Sequence, residues 1–164
     1  MRNLLVALRA AIFDAAFLLL WFWVALGVRA FDLTFGIQLP GWMRGVGNIL
    51  MAMGGAVVIA CVGTFVVRGH GTPAPFDPPR QFVAVGPYKY VRNPMYIGAM
   101  ILLVGFGLYQ RSISILCLAL AWLLLVHLLV VFYEEPNLRS RFGAEYEEYC
   151  RSVSRWIPTT SRPS

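Results

Sequence analysis

The stretch ISILCLALAWLLLVHLLVVFY, Ile113 to Tyr133, runs for 21 residues with His127 as its single ionisable group and then meets Glu134-Glu135-Pro136. A bilayer core takes about 20 helical residues, so this run predicts a membrane-crossing helix. Two further runs have the length to do the same: Ala10 to Val28, interrupted by Asp14, and Val46 to Val67, 22 residues without a charge. A fourth run, Met95 to Tyr109, has 15 residues. It is short alone but suits one arm of a tight hairpin turning at Gln110-Arg111-Ser112. The reading is an all-α polytopic membrane helical bundle of about four transmembrane helices in a single domain, residues 1–164.

Composition agrees. Hydrophobic residues make up 59% of the 164 and charged residues 13%, about half the charged share of a soluble domain. This excludes a disordered chain and a disulfide scaffold. The net charge of +6 has its simplest account in basic residues gathered in cytoplasmic loops. With both termini inside, eleven Lys and Arg fall on the inner side, and Arg29, Arg44 and Arg111 outside. The expected setting is therefore a bacterial inner membrane, short-looped, with both termini cytoplasmic. No basic run interleaved with aromatics points to nucleic acid. The three cysteines, Cys61, Cys117 and Cys150, form no metal or disulfide pattern.

Smaller features refine the bundle. Asn48, Ala52, Ala56, Ala60 and Thr64 place a small or polar residue at every fourth position, a stripe suited to close helix packing in lipid. Trp42, Trp122 and Trp156 are interfacial anchors or core. His127 is expected to bond to a neighbouring helix, and Asp14 to pair with Arg9 or a tail arginine. The tail from Leu138 to Val153 reads as an amphipathic helix with the stripe Leu138, Phe142, Tyr146, Tyr149 and Val153. Arg141–Glu145 and Glu147–Arg151 stand at i,i+4 on its other side, and Gly143 weakens it midway.

Two places carry candidate chemistry. After the breaker-rich stretch Gly69 to Pro79 comes GPYKYVRNPMYIG, Gly86 to Gly98, where Asn93 reads as a helix N-cap and Pro94 as the first helical residue. Such a terminus suits an anionic group, although a capped helix with interfacial tyrosines has the same sequence. Glu134 and Glu135 put two carboxylates at a helix C-terminus, where cations are expected. The pair is either functional or a solvated cap neutralised by Arg139 and Arg141. Arg92 and Arg155 are candidates for holding an acidic acceptor or serve as positive-inside anchors.

Taken together, GPYKYVRNPMYIG, Glu134-Glu135, Leu138, Phe142-Gly143, Tyr146, Tyr149, Val153 and Pro158 resemble the isoprenylcysteine carboxyl methyltransferase and phospholipid N-methyltransferase superfamily of integral membrane methyltransferases. The resemblance covers about residues 86–158. It implies an S-adenosylmethionine-dependent enzyme with a cytoplasmic pocket. One wall would be Tyr88, Arg92, Asn93, Pro94, Tyr96 and Gly98, and the other Glu134 and Glu135. Glu135, Arg92 and Arg155 are the implied catalytic groups, Glu135 as nearest base. The implied acceptor is a lipid or lipophilic molecule of carboxyl or thiol type, with a phospholipid amine as the alternative. Asn93 stands where the carboxyl methyltransferases usually have His, so Asn93→His is expected to be tolerated. Glu134→Gln or Glu135→Gln is expected to abolish cofactor binding and spare stability. A non-catalytic membrane adaptor retaining the fold is the rival from another class. No metal is expected.

Overall fold

The computed structural model describes residues 2–64, 67 and 84–158; for residues 2–11, 13 and 14 the description is of the backbone. The expected Asp14–Arg9 pair, the breaker-rich Gly69–Pro79 stretch and two of the inner-side basic residues, Arg68 and Arg80, lie outside the described residues or side chains. In chain order the helices are α1 (Arg2–Val28), α2 (Asp32–Phe35), α3 (Met43–Thr64), α4 (Pro94–Gln110), α5 (Ile113–Leu129), α6 (Glu135–Phe142) and α7 (Ala144–Ser152). Single 3-10 turns cover Arg29–Phe31 and Gly86–Lys89. A π-helical turn, Val130–Glu134, joins α5 to α6. No strand occurs among the described residues.

Three segments are long and apolar enough to cross a membrane: Ala15–Phe35, Met43–Thr64 and Ile113–Phe142. The fourth, α4, has 17 residues and rises about 26 Å. It turns back on itself as the sequence suggests. Arg111 ends it in the left-handed region, φ 56°, a conformation that costs a non-glycine residue about 1 kcal/mol. Its guanidinium donates to the Leu39 carbonyl. Ser112 then caps α5, its hydroxyl accepting from Ile115 N at 3.2 Å, and Asp32 Oδ1 accepts from Ser114 N at 2.9 Å. Two acceptors thus meet the donors that a helix start leaves unpaired.

The closest contact in the bundle is between α3 and α4, which run antiparallel. A Cβ on Gly47 would lie 2.6 Å from the Gly105 carbonyl, and one on Gly54 2.7 Å from the Gly98 carbonyl. Only hydrogen fits there. The contact line on α3 is Gly47, Met51, Gly54, Val58 and Cys61, with Gly98, Leu102 and Gly105 opposite. The expected stripe Asn48, Ala52, Ala56 and Ala60 faces outward instead. Glycine decides the matter, because it alone lets two backbones meet. Its seven-residue spacing on both helices, two turns, puts the glycines of each helix on one face.

Against this pair pack α5 and α1. Their shared core is Ala25, Leu103, Phe106, Ile115, Ala119, Trp122, Val126 and Val130. Trp21 meets Trp122 edge-on at 6.2 Å, and Phe22 lies 4.0 Å from Phe106. Trp122 therefore belongs to the core, whereas Trp42 is exposed.

Gly54→Val should lower the thermal midpoint in detergent by an amount equivalent to about 1–3 kcal/mol, because the obstructing atoms are backbone. Ala56→Val, on the outward face, should leave the midpoint unchanged. Equal effects of the two would mean that the contact line is misassigned.

Candidate functional site

Pro136 lacks an N–H and its ring crowds the carbonyl four residues earlier. The helix therefore cannot pass through this point with regular hydrogen bonding, and the wider π turn Val130–Glu134 precedes the proline. A π turn adds one residue to the helical circuit, and such turns concentrate at functional sites. At its end both carboxylates meet partners at the start of α4, Glu134 with Tyr96 and Glu135 with Arg92.

They find different partners there. Glu135 is buried, 3% exposed. Arg155 grips it with two bonds, Nε to Oε1 at 2.6 Å and Nη2 to Oε2 at 2.9 Å. Arg92 Nη1 adds a third at 3.1 Å. The Glu135 carboxylate holds Arg155 above its ordinary value. Glu134 accepts instead from the Tyr96 hydroxyl, and the Tyr96 ring lies edge-on to Trp122 at 6.3 Å. The solvated-cap reading therefore fails for Glu135: its partners are Arg92 and Arg155, not the exposed Arg139 and Arg141.

The charge count is uneven. Two guanidiniums face one carboxylate in the Glu135 cluster, next to the positive end of α4. Asn93 occupies the N-cap position, but its side chain makes no capping bond. Its Nδ2 donates to the Arg155 carbonyl at 3.1 Å. No side chain thus caps the first turn of α4. Arg92 Nε is buried and likewise lacks a hydrogen-bond partner.

The tail reaches this place by a bend. Gly143 has φ 54° and ψ −124°, a backbone conformation open only to glycine, and it splits the expected single helix into α6 and α7. The apolar stripe survives the split: Tyr146, Tyr149 and Val153 are buried, with Leu138 and Phe142 packed beside them. The charged side does not survive it. Arg139 pairs with Glu147 at 2.8 Å and Arg151 with Glu148 at 3.4 Å, replacing the expected Arg141–Glu145 and Glu147–Arg151 pairs. Arg141 and Glu145 stand on opposite sides of the bend, where the i,i+4 rule does not apply. Within α7, Arg139 from α6 takes Glu147, and Arg151 turns to Glu148.

Tyr149 donates to the Tyr88 carbonyl at 2.7 Å. Burial pushes both phenols above their ordinary range, so both stay neutral donors. Beyond α7, Ser154 accepts from Arg92 N at 2.9 Å, and Trp156 Nε1 donates to His127 Nδ1 at 3.1 Å. The expected His127 contact thus comes from the tail rather than from a helix.

Of the residues singled out by sequence, the structure brings together Arg92, Asn93, Tyr96, Glu134, Glu135 and Arg155. Pro94, the first residue of α4, is buried. Gly98 belongs to the α3 contact, where a Cβ would lie 3.0 Å from Val58 Cγ2, and Tyr88 is buried against Cys61. These two face α3 rather than the carboxylates. Sequence reasoning missed Cys150, which receives Arg92 Nη1 at 2.9 Å; a lone cysteine carries no spacing signal. Among the described residues, no three His, Cys, Asp or Glu gather where they could hold a metal ion.

Comparison with known proteins places this architecture. The chain is 33% identical over 82 residues to the nickel-cobalt-cadmium resistance protein NccN of Alcaligenes xylosoxydans xylosoxydans. That alignment covers 49% of this chain and spans 38% of the relative's length. Residues 42–145 match the phospholipid methyltransferase family model, a stretch that runs from the glycine-lined α3–α4 pair through the carboxylates into α7. With more than half of its length inside that match and apolar helices long enough to span a bilayer, this chain is an integral membrane protein of the phospholipid methyltransferase family.

Proposed function

We propose that the protein is an S-adenosylmethionine-dependent methyltransferase acting on a lipid or lipophilic acceptor at the Glu134–Arg92 end of the bundle. The observation that carries this reading is a pair of unsatisfied donor sites beside a carboxylate. The α4 N-terminus has no side-chain cap and the buried Arg92 Nε has no acceptor, while the Glu134 carboxylate stands opposite.

These groups fit the cofactor's own polar atoms. A carboxylate suits the α4 N-terminus and Arg92, and an ammonium or ribose diol suits Glu134. Bound there, S-adenosylmethionine would supply an electrophilic methyl on a sulfonium. The chain's share of the work is alignment and exclusion of water. Tyr96 fixes the Glu134 rotamer, and the folded tail covers the site from the water side. An acceptor with an apolar body would enter between helices from the bilayer.

Arg92 and Arg155, beside the positive end of α4, are the groups suited to hold an acidic acceptor, the carboxyl or thiol type. The family match over residues 42–145 favours a second reading, a phospholipid amine. Such an amine must lose a proton, and Glu134 is the better acceptor for it, since guanidiniums occupy both oxygens of Glu135. The positive-inside count supports a cytoplasmic site and termini in a bacterial inner membrane. Headgroup analysis after expression in a host without methylated phospholipids tests the amine reading: new methylated headgroups are its expected outcome, and unchanged headgroups count against it.

Calorimetric titration in mild detergent tests the cofactor. Saturable binding of S-adenosylmethionine and its demethylated product is expected, weakened at least tenfold by Glu134→Gln at an unchanged thermal midpoint. Absence of binding in folded protein would favour the adaptor reading. Glu135→Gln is no longer expected to spare stability. It strands two guanidiniums, one of them largely buried, and should cost on the order of 3 kcal/mol.

Asn93→His should retain both fold and binding, because an imidazole N–H can replace Nδ2 as donor to the Arg155 carbonyl. Asn93→Leu should loosen the tail. Equal midpoints and affinities for these two variants would show that this bond has no role.

A further inference from the structure

Three consecutive residues of the tail, Ser154 to Trp156, are each fastened to a different element. The Ser154 carbonyl accepts from Arg92 N at 2.9 Å, just before α4. The Arg155 carbonyl accepts from Asn93 Nδ2 at 3.1 Å, and its guanidinium clamps Glu135 at the start of α6. The Trp156 indole donates to His127 Nδ1 at 3.1 Å, with ring centroids 6.1 Å apart. His127 precedes Glu135 by eight residues, about 12 Å along the helix. The strap therefore runs from the candidate site down the side of α5, and its last fastening is half-buried against the bundle core, away from the charge cluster.

We infer that His127 and Trp156 are positioning residues: their hydrogen bond fixes the strap so that Arg155 meets Glu135 and closes the site. The geometry gives the reason. The Arg155 side chain is 31% exposed, and an arginine whose backbone is held on one side alone gives up rotamer entropy to keep a two-bond grip. With Ser154 held before it and Trp156 after it, Arg155 has no backbone freedom left, and the fork geometry is prepaid. His127 is suited to the far anchor. Its Nδ1 accepts, which puts the proton on Nε2, and the acceptor stands in an otherwise apolar helix where the indole N–H has few alternatives. Neither residue is placed against cofactor or acceptor, so both act through Arg155. The inference rests on the methyltransferase reading for its catalytic consequence, but not for the strap itself.

The test uses the whole chain in detergent. Hydrogen exchange is followed by mass spectrometry over peptides covering Val153–Ile157 without ligand, and S-adenosylmethionine affinity is measured in parallel. His127→Leu removes the acceptor. Trp156→Phe removes the donor and keeps a ring. His127→Asn keeps an acceptor oxygen near the Nδ1 position. The first two should each speed exchange in the strap at least tenfold and weaken cofactor binding at least tenfold, with exchange in α3 and α4 unchanged. The double variant should be no worse than either single one, and His127→Asn should restore both readouts. The inference is overturned if Trp156→Phe leaves strap exchange at the wild-type rate. It is equally overturned if His127→Asn behaves as His127→Leu does, since packing alone would then account for the site, or if a loosened strap leaves affinity unchanged. Failure of the wild-type protein to bind S-adenosylmethionine would instead sink the methyltransferase reading, while the exchange data still decide whether the bond holds the strap.

Discussion

A carboxylate buried at the edge of a bilayer has to be neutralised where it stands, and Glu135 is such a group. Its solvent is replaced by Arg92 and Arg155, and the identity of those partners shapes everything around it. Arg92 comes from the segment before α4 and Arg155 from beyond α7, so satisfying one charge ties together parts of the chain 63 residues apart. An ion pair of this kind adds little net stability, because desolvation consumes most of the attraction. What it supplies is a fixed place for the tail: Arg155 completes a two-bond grip that Arg92 alone does not make.

The remaining features serve that placement. Glycines bring α3 and α4 within backbone contact, which sets the α4 N-terminus at a fixed depth. The Arg111–Ser112 turn returns the chain into α5 without slack. Pro136 forces the π turn at whose end Glu134 and Glu135 meet their partners. Gly143 then reverses the tail, and Tyr149 seats α7 on the Tyr88 carbonyl. Each step is local and has a sequence cause, yet the cluster of Arg92, Tyr96, Glu134, Glu135 and Arg155 exists only when all of them are in place.

Much of this was legible in the sequence, and the boundary is instructive. Long apolar runs read directly as helices because the bilayer fixes their length, and the hairpin at Gln110–Ser112 followed from the shortness of its first arm. Glu134 and Glu135 stood out because they break the charge rule for a helix end. The observed contact line departs from the stripe of small residues because glycine, rather than small size in general, admits a neighbouring backbone. The ion pairs on the tail differ from the i,i+4 pattern because the Gly143 bend brings Arg139 of α6 to Glu147 of α7. Asn93 was correctly placed at the head of α4, but which of its two tasks its side chain performs depends on a residue 62 positions away. Pairings such as Trp156 with His127 have no sequence signature at all, since they depend on where two separate segments meet.

The π turn has one more consequence. An added residue in a helix acts as a phase shifter: everything upstream keeps its azimuth, and everything downstream is rotated against it. The face that α5 shows to lipid and the face that α6 shows to the cluster are thereby uncoupled. Composition on the membrane side of α5 can drift with the thickness or chemistry of the surrounding bilayer, and the carboxylates keep their heading. A regular helix would have bound those two requirements into a single pattern.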